Sequence, residues 1–351
     1  MLESISLDIS NLILRVDLSS TDHKLARELA EVFDPFLTGE EVESHELLRV
    51  IPVRTRKWKS LTSDRESLMR VALQEPLKKF PFTRDLRRDI GILQKRLRPF
   101  AASIEANALL SGIQRPLDLQ IYPLLRGWLI RRPRSRESVL FLKARSRRKW
   151  KALSIYGAIY FVAANAMPVH DGLMLHGVGV SRLGLGFLFL GSSGGGKTTV
   201  ARFSRPESVI SDDCIIIKRS GTSYFLSPSP FNQHPGLNCM ERESLDIGLF
   251  LEKDERVFLQ EMAPSEACSR ILMNHIHFFR YYSSDTVKKT FDLVTGICHQ
   301  TPFYVLHFTK SPSFWGLLED RLSMFHSRIK EQDYGFGKKE EKTTLRTSQG
   351  L

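Results

Sequence analysis

Cysteine is scarce in this chain: of 351 residues only Cys214, Cys239, Cys268 and Cys298 carry a thiol, and no two of them have a paired spacing. That argues against a disulfide framework or a cysteine metal site and fits buried thiols in a reducing compartment. The first eight residues lack the basic and apolar segments of a secretion signal. Long apolar runs are missing too, since the longest, residues 155–169, includes Asn165 and Pro168 and falls short of the roughly 20 residues that a bilayer span needs. No transmembrane segment and a cytoplasmic residence are therefore expected. No internal repeat is present.

What is there is enough apolar material for a sizeable core. At 42% hydrophobic over 351 residues the chain suits two domains. Its net charge of +12 is unevenly spread: −7 over residues 1–50, +17 over 51–150 and +2 over 151–351. The surplus gathers around Trp58 (Arg54, Arg56, Lys57, Lys59) and again in Arg131, Arg132, Arg134 and Arg136 with Lys143, Arg145, Arg147, Arg148 and Lys149 beside Trp150. Arginines among aromatics suit RNA, an anionic lipid surface or an acidic peptide, and equally a solvated basic face.

The most informative stretch is Gly191, Ser192, Ser193, Gly194, Gly195, Gly196, Lys197, Thr198, Thr199, which fits G-x-x-x-x-G-K-[ST]. An apolar run at 187–190 precedes it as a candidate buried strand, and 198–203 follows as a candidate helix. The glycines let successive N–H groups turn toward phosphate oxygens. Lys197 supplies a charge for the β- and γ-phosphates, and the Thr198 hydroxyl a ligand for Mg²⁺. Fifteen positions beyond Lys197 come Asp212 and Asp213, between the strand-like runs 209–211 and 214–217. Upstream, Leu175, His176, Gly177 and Val178 open a strand that turns at 183–186.

This order of H-G-V, G-x-G, phosphate loop and S-D-D before a β-branched run resembles the kinase core of HPr kinase/phosphorylase. It is similar also to that family's relatives in bacterial peptide-modification cassettes, such as lasso-peptide precursor kinases. The likeness spans about residues 148–310 and is strongest over 175–217. It implies an α/β fold, a P-loop kinase core akin to the nucleotide domain of phosphoenolpyruvate carboxykinase, and ATP- and Mg²⁺-dependent phosphorylation of a serine hydroxyl on a peptide or protein. His176 matches the family's histidine. Of the two acids, one would take the proton from the acceptor and the other face Mg²⁺; Asp213 as base with Asp212 toward the metal is favoured, and the reverse stays open. Relatives assemble into multimers, so a homo-oligomer is implied as well.

The long glycine-rich signature downstream in true HPr kinases is absent, and no arginine aligns with the reacting one, so HPr as substrate and the reverse phosphorolysis are not expected. Two readings stand beside the kinase: a nucleotide-gated peptide- or protein-binding module without transfer, and a small-molecule kinase. For a kinase, an acidic protein or leader peptide is the partner that best suits the basic clusters, ahead of nucleic acid.

The domain plan that follows has an α+β or helical N-terminal domain at 1–147, the P-loop domain at 148–329 and a disordered polar tail at 330–351. Within the first, residues 5–16 alternate as two short strands or one bent strand, and 23–33 form a helix capped by Asp22. Residues 40–46 read as an acidic connector or a helix start, and helices are expected at 63–79, 85–97 and 101–110. Within the second, an apolar helix at 150–166 leads in, and a hairpin is expected around Ser220 and Gly221. The segment 227–231 is expected to be a stiff proline loop. His275 and His277, two apart, share a strand face but lack a third metal ligand.

Overall fold

The structure, a computed structural model, describes residues 2–39, 42–53, 120–124, 127–134, 136–192, 194–204, 208–231 and 241–327. The helices expected at 63–79, 85–97 and 101–110, the basic group around Trp58 and the tail at 330–351 lie outside the described residues. The protein is a mixed α/β chain of two compact units, Met1–Ala166 and Met167–Leu351. This division assigns residues 148–166 to the first unit, whereas the sequence reading opens the second domain with them.

In the first unit β1 (Ser4–Ile9) and β2 (Leu12–Asp17) form a hairpin. Its two-residue loop, Ser10 and Asn11, has positive φ at both positions, 52° and 65°, as a turn matching the strand twist demands. Helix α1 (His23–Phe33) follows, with the Asp22 carboxylate accepting from the Leu25 N–H at 2.9 Å. Four further strands complete the sheet: β3 (Glu46–Val53), β4 (Gln120–Leu124), β5 (Gly127–Arg132) and β6 (Glu137–Lys143). Their order is β1-β2-β3-β6-β5-β4.

Glu46 thus begins a strand rather than ending a connector. Its carboxylate accepts from the Arg131 guanidinium at 2.7 Å, with the two side chains only 1% and 3% exposed. Burial pushes the Glu46 carboxyl up, and the charge and hydrogen bond of Arg131 pull it back. Arg131 therefore leaves the basic cluster of the sequence, while Arg134, Arg136, Arg145, Arg147, Arg148 and Lys149 are exposed.

Helix α2 (Arg148–Ala166) packs on this sheet, stacking Tyr156 on Phe33 and Phe161 on Tyr122. Asn165, the polar break in the apolar run, is buried and donates to the Phe161 carbonyl at 2.9 Å. Extended by a 3-10 turn, 148–170 is the one stretch among the described residues long and apolar enough to cross a membrane. Of its most apolar window, 67% is buried inside the protein, which accounts for the composition as that of a core helix.

In the second unit, where β13 is Glu243–Ser244 and β15 is Phe258–Glu261, a six-stranded sheet runs β10-β8-β9-β14-β16-β15 and a four-stranded one β13-β12-β11-β7. The strands that matter for the site are β7 (Gly172–Leu175), β8 (Gly177–Arg182), β9 (Leu185–Leu190), β10 (Val209–Ser211), β11 (Ile215–Ser220), β14 (Ile247–Lys253) and β16 (Phe303–Phe308). Every residue of β9 is buried, because both faces of the strand are covered. Leu188 and Leu190 enter a core shared with the second sheet and with helices α4 (Pro264–Asn274) and α5 (Ser284–Gln300). Phe187 and Phe189 face helix α3 (Lys197–Phe203) and helix α6 (Ser313–Asp320), with Trp315 edge-on to both rings. Strand β12 (Ser223–Ser227) pairs with β11 as the expected hairpin. The proline loop after it is not a surface turn, since Pro228, Ser229 and Phe231 are buried.

Candidate functional site

Topology brings the sequence-predicted residues to one sheet edge. Strands β9 and β10 both run antiparallel to β8, with Leu190 opposite Gly177 and Ser211 opposite Gly179. The end of β9, the end of β10 and the start of β8 therefore lie together. The chain continues from them as the loop at Gly191, as Asp212 and Asp213, and backwards as His176.

The loop takes the conformations its composition allows. Gly194 and Gly196 have φ of 75° and 111°, a region that side chains rarely enter. Gly196 caps α3, and a Cβ on it would lie 2.2 Å from the Phe308 ring. The Lys197 ammonium donates to the carbonyls of Gly191 at 2.8 Å and Ser192 at 2.9 Å. The Gly195 N–H donates to the Ser192 carbonyl. Thr198 and Thr199 sit half-buried in the first turn of α3. Ser193 lies outside the described residues.

The two aspartates differ sharply. Asp212 is 1% exposed. Asp213 is the apex of a tight turn: the Cys214 N–H donates to the Asp212 carbonyl at 2.9 Å and φ at Asp213 is 70°, a γ-turn with a strained centre. The Ser211 hydroxyl donates to the Cys214 carbonyl across the same turn at 2.6 Å. His176 Nε2 lies 2.8 Å from Asp213 Oδ1, the side chains being 15% and 29% exposed. That hydrogen bond, opposed by partial burial and helped by the charges of His176, His277 and Lys197, holds the Asp213 carboxyl below the usual carboxylate range. Asp213 and Lys197 are thus within each other's field.

His277 joins the site through tertiary pairing alone. The segment after α4 is stitched along β7, with His176 N–H donating to the His275 carbonyl at 2.7 Å and His277 N–H to the Met174 carbonyl at 3.1 Å. The rings of His176 and His277 come within 5.7 Å. Only a register between residues 101 positions apart brings them together, so no local pattern could have shown it. His275 instead turns inward, buried against Phe250. Glu243 holds the Ser181 hydroxyl at 2.7 Å and the Ser244 N–H, a structural engagement.

The loop fits a nucleotide's phosphates in backbone conformation and in its lysine. Among the described residues no group of three or more His, Cys, Asp or Glu side chains forms a metal cage. Mg²⁺ that keeps its waters and leans on phosphate oxygens requires none.

The sequence profile of a known family, SynChlorMet cassette protein ScmC, matches residues 140–323, just over half of the chain. This chain belongs to the ScmC family. The ScmC match opens inside β6 and takes in α2, the loop, both aspartates and His277. No curated protein matches the chain.

Proposed function

We propose that this ScmC-family chain is an ATP- and Mg²⁺-dependent kinase of the HPr kinase-like type that phosphorylates a serine hydroxyl of a peptide or protein. The observation that carries the reading is the convergence of the His176–Asp213 pair and the glycine-rich loop on one sheet edge, within the field of Lys197.

In this reading the loop N–H groups and Lys197 bind the phosphates. Asp213 has one carboxylate oxygen held by His176, which aims the other at the acceptor. As the serine oxygen forms its bond to the γ-phosphorus and the bond to the β-phosphate oxygen breaks, Asp213 takes the hydroxyl proton and ADP departs. An acid held ionised suits this step, because the loose transition state of phosphoryl transfer asks for orientation more than for a strong base. Mg²⁺, held by Thr198 and Asp212, would neutralise charge on the phosphates. The exposed arginines of the first unit would steer an acidic acceptor segment, and a cytoplasmic residence would supply ATP.

Transfer of labelled γ-phosphate from MgATP to an array of seryl peptides tests the proposal, with Lys197→Ala and Asp213→Asn as controls. Wild type should label a subset of peptides, and each variant should lose at least about a hundredfold in rate. Capture of peptides that needs ATP but survives Asp213→Asn would instead select the nucleotide-gated binding module. Label on a metabolite but on no polypeptide would select a small-molecule kinase.

A further inference from the structure

Beside the His176–Asp213 pair stands a second imidazole that the proposed reaction has not used, the His277 ring centroid lying 5.7 Å from that of His176. We infer that His277 is the acceptor-side residue of this site, hydrogen-bonding the serine hydroxyl that Asp213 deprotonates; the inference rests on the kinase reading above.

Its placement is enforced by backbone. Leu175 and Ile276 form an antiparallel bridge, flanked by the His176-to-His275 and His277-to-Met174 hydrogen bonds. The segment therefore acts as an added edge strand that fixes the imidazole relative to the His176–Asp213 pair. Next in the chain, Phe278 has φ of 58°, a conformation that a bulky aromatic adopts only when its surroundings impose it. Its ring is braced between His277 at 6.3 Å and Tyr281 at 6.4 Å. The turn after His277 is thus locked, as preorganised binding groups require.

The direction of approach separates acceptor from nucleotide. Lys197 is held against the loop after β9, in the six-stranded sheet, whereas His277 lies beside His176 at the edge of the four-stranded sheet. The His277 segment leads outward into the half-buried rings of Phe278, Phe279 and Tyr282, surroundings suited to polypeptide rather than to triphosphate.

The test compares wild type, His277→Phe and His277→Gln for transfer to the seryl peptide that wild type labels best, for MgATP affinity and for ATP hydrolysis by water. Phe keeps ring packing without the hydrogen bond, and Gln restores a polar end. His277→Phe should raise the peptide KM or lower its kcat by tenfold or more, with MgATP affinity within twofold and hydrolysis within threefold of wild type. His277→Gln should recover part of the loss. Wild-type transfer by His277→Phe would overturn the inference. So would equal losses in peptide transfer and water hydrolysis, or weakened MgATP binding with unchanged peptide KM. A wild type inactive toward every peptide and toward water would overturn the kinase reading and this inference with it. A melting curve for each variant confirms that it is folded.

Discussion

Gly196→Ala puts the geometry of the loop to a quantitative test. Gly196 has φ of 111°, and an added Cβ would meet the Phe308 ring at 2.2 Å, more than 1 Å inside ordinary contact. Phe308 is buried at 1% exposure in the core that holds α3 and α6 against the sheet, so the ring has little room to retreat. The backbone strain is worth about 1–3 kcal/mol and the overpacking about 1–3 kcal/mol. Together these come to roughly 2–6 kcal/mol, a large part of the ~5–15 kcal/mol that a domain possesses. Of the four tryptophans, Trp58, Trp128, Trp150 and Trp315, only Trp315 belongs to the second unit. Urea unfolding followed by its fluorescence, in a background with the other three changed to Phe, reads this unit alone. Phe308→Leu in the same background removes the obstructing ring atoms, so the double variant should be less destabilised than the two single changes added together. A Gly196→Ala protein within about 0.5 kcal/mol of its parent, the range of an ordinary surface change, would refute both the conformation and the contact.

Asp213 makes a pH-dependent contribution of definite sign. Its folded pKa is depressed, so the stability that it lends is complete above the unfolded carboxylate value of about 4 and is lost as pH falls through the folded value. Acid titration of unfolding should accordingly be steeper below about pH 4 for wild type than for Asp213→Asn. In the first unit, Glu46→Gln should cost about 3–5 kcal/mol by leaving Arg131 buried without its countercharge. Glu46→Gln combined with Arg131→Met should recover much of that loss in chemical denaturation. If the exposed arginines at 134, 136, 145, 147 and 148 steer an acidic acceptor, raising salt from 50 to 300 mM should raise the peptide KM severalfold and leave the MgATP KM nearly unchanged; equal shifts in both would remove that role.

The parts of this fold that the sequence made legible are those coded locally. The strand character of β1 and β2, the Asp22 cap, the strand, loop and helix around Lys197, and the run of β11 after the aspartates follow from alternation, capping chemistry and glycine placement. Strands β3 to β6 did not, because their signal was mixed. In β6 the buried Ser138, Leu140 and Leu142 alternate with half-buried Val139 and Phe141, and arginines on either side made the segment read as surface. Arg131 was misjudged for the same reason: charge in a sequence says nothing about a countercharge 85 residues away. At the candidate site the nearness of His176 to Asp213 was expected from the family resemblance that the order of the motifs carries. The turn that strains Asp213 and the edge pairing that delivers His277 depend on tertiary register.

The connection from β10 to β11 carries the chain out of one sheet and into the other, with Asp212 and Asp213 as its whole span but for Cys214. The acids are therefore rivets between two plates whose facing surfaces share a single oily filling. Any substitution that changes the thickness of that filling, however far from the glycine-rich loop, will slide the carboxylates relative to the lysine. Defects of turnover in this protein should thus trace to interior residues such as Ile215, Leu226 and Ile297 as readily as to the polar groups themselves.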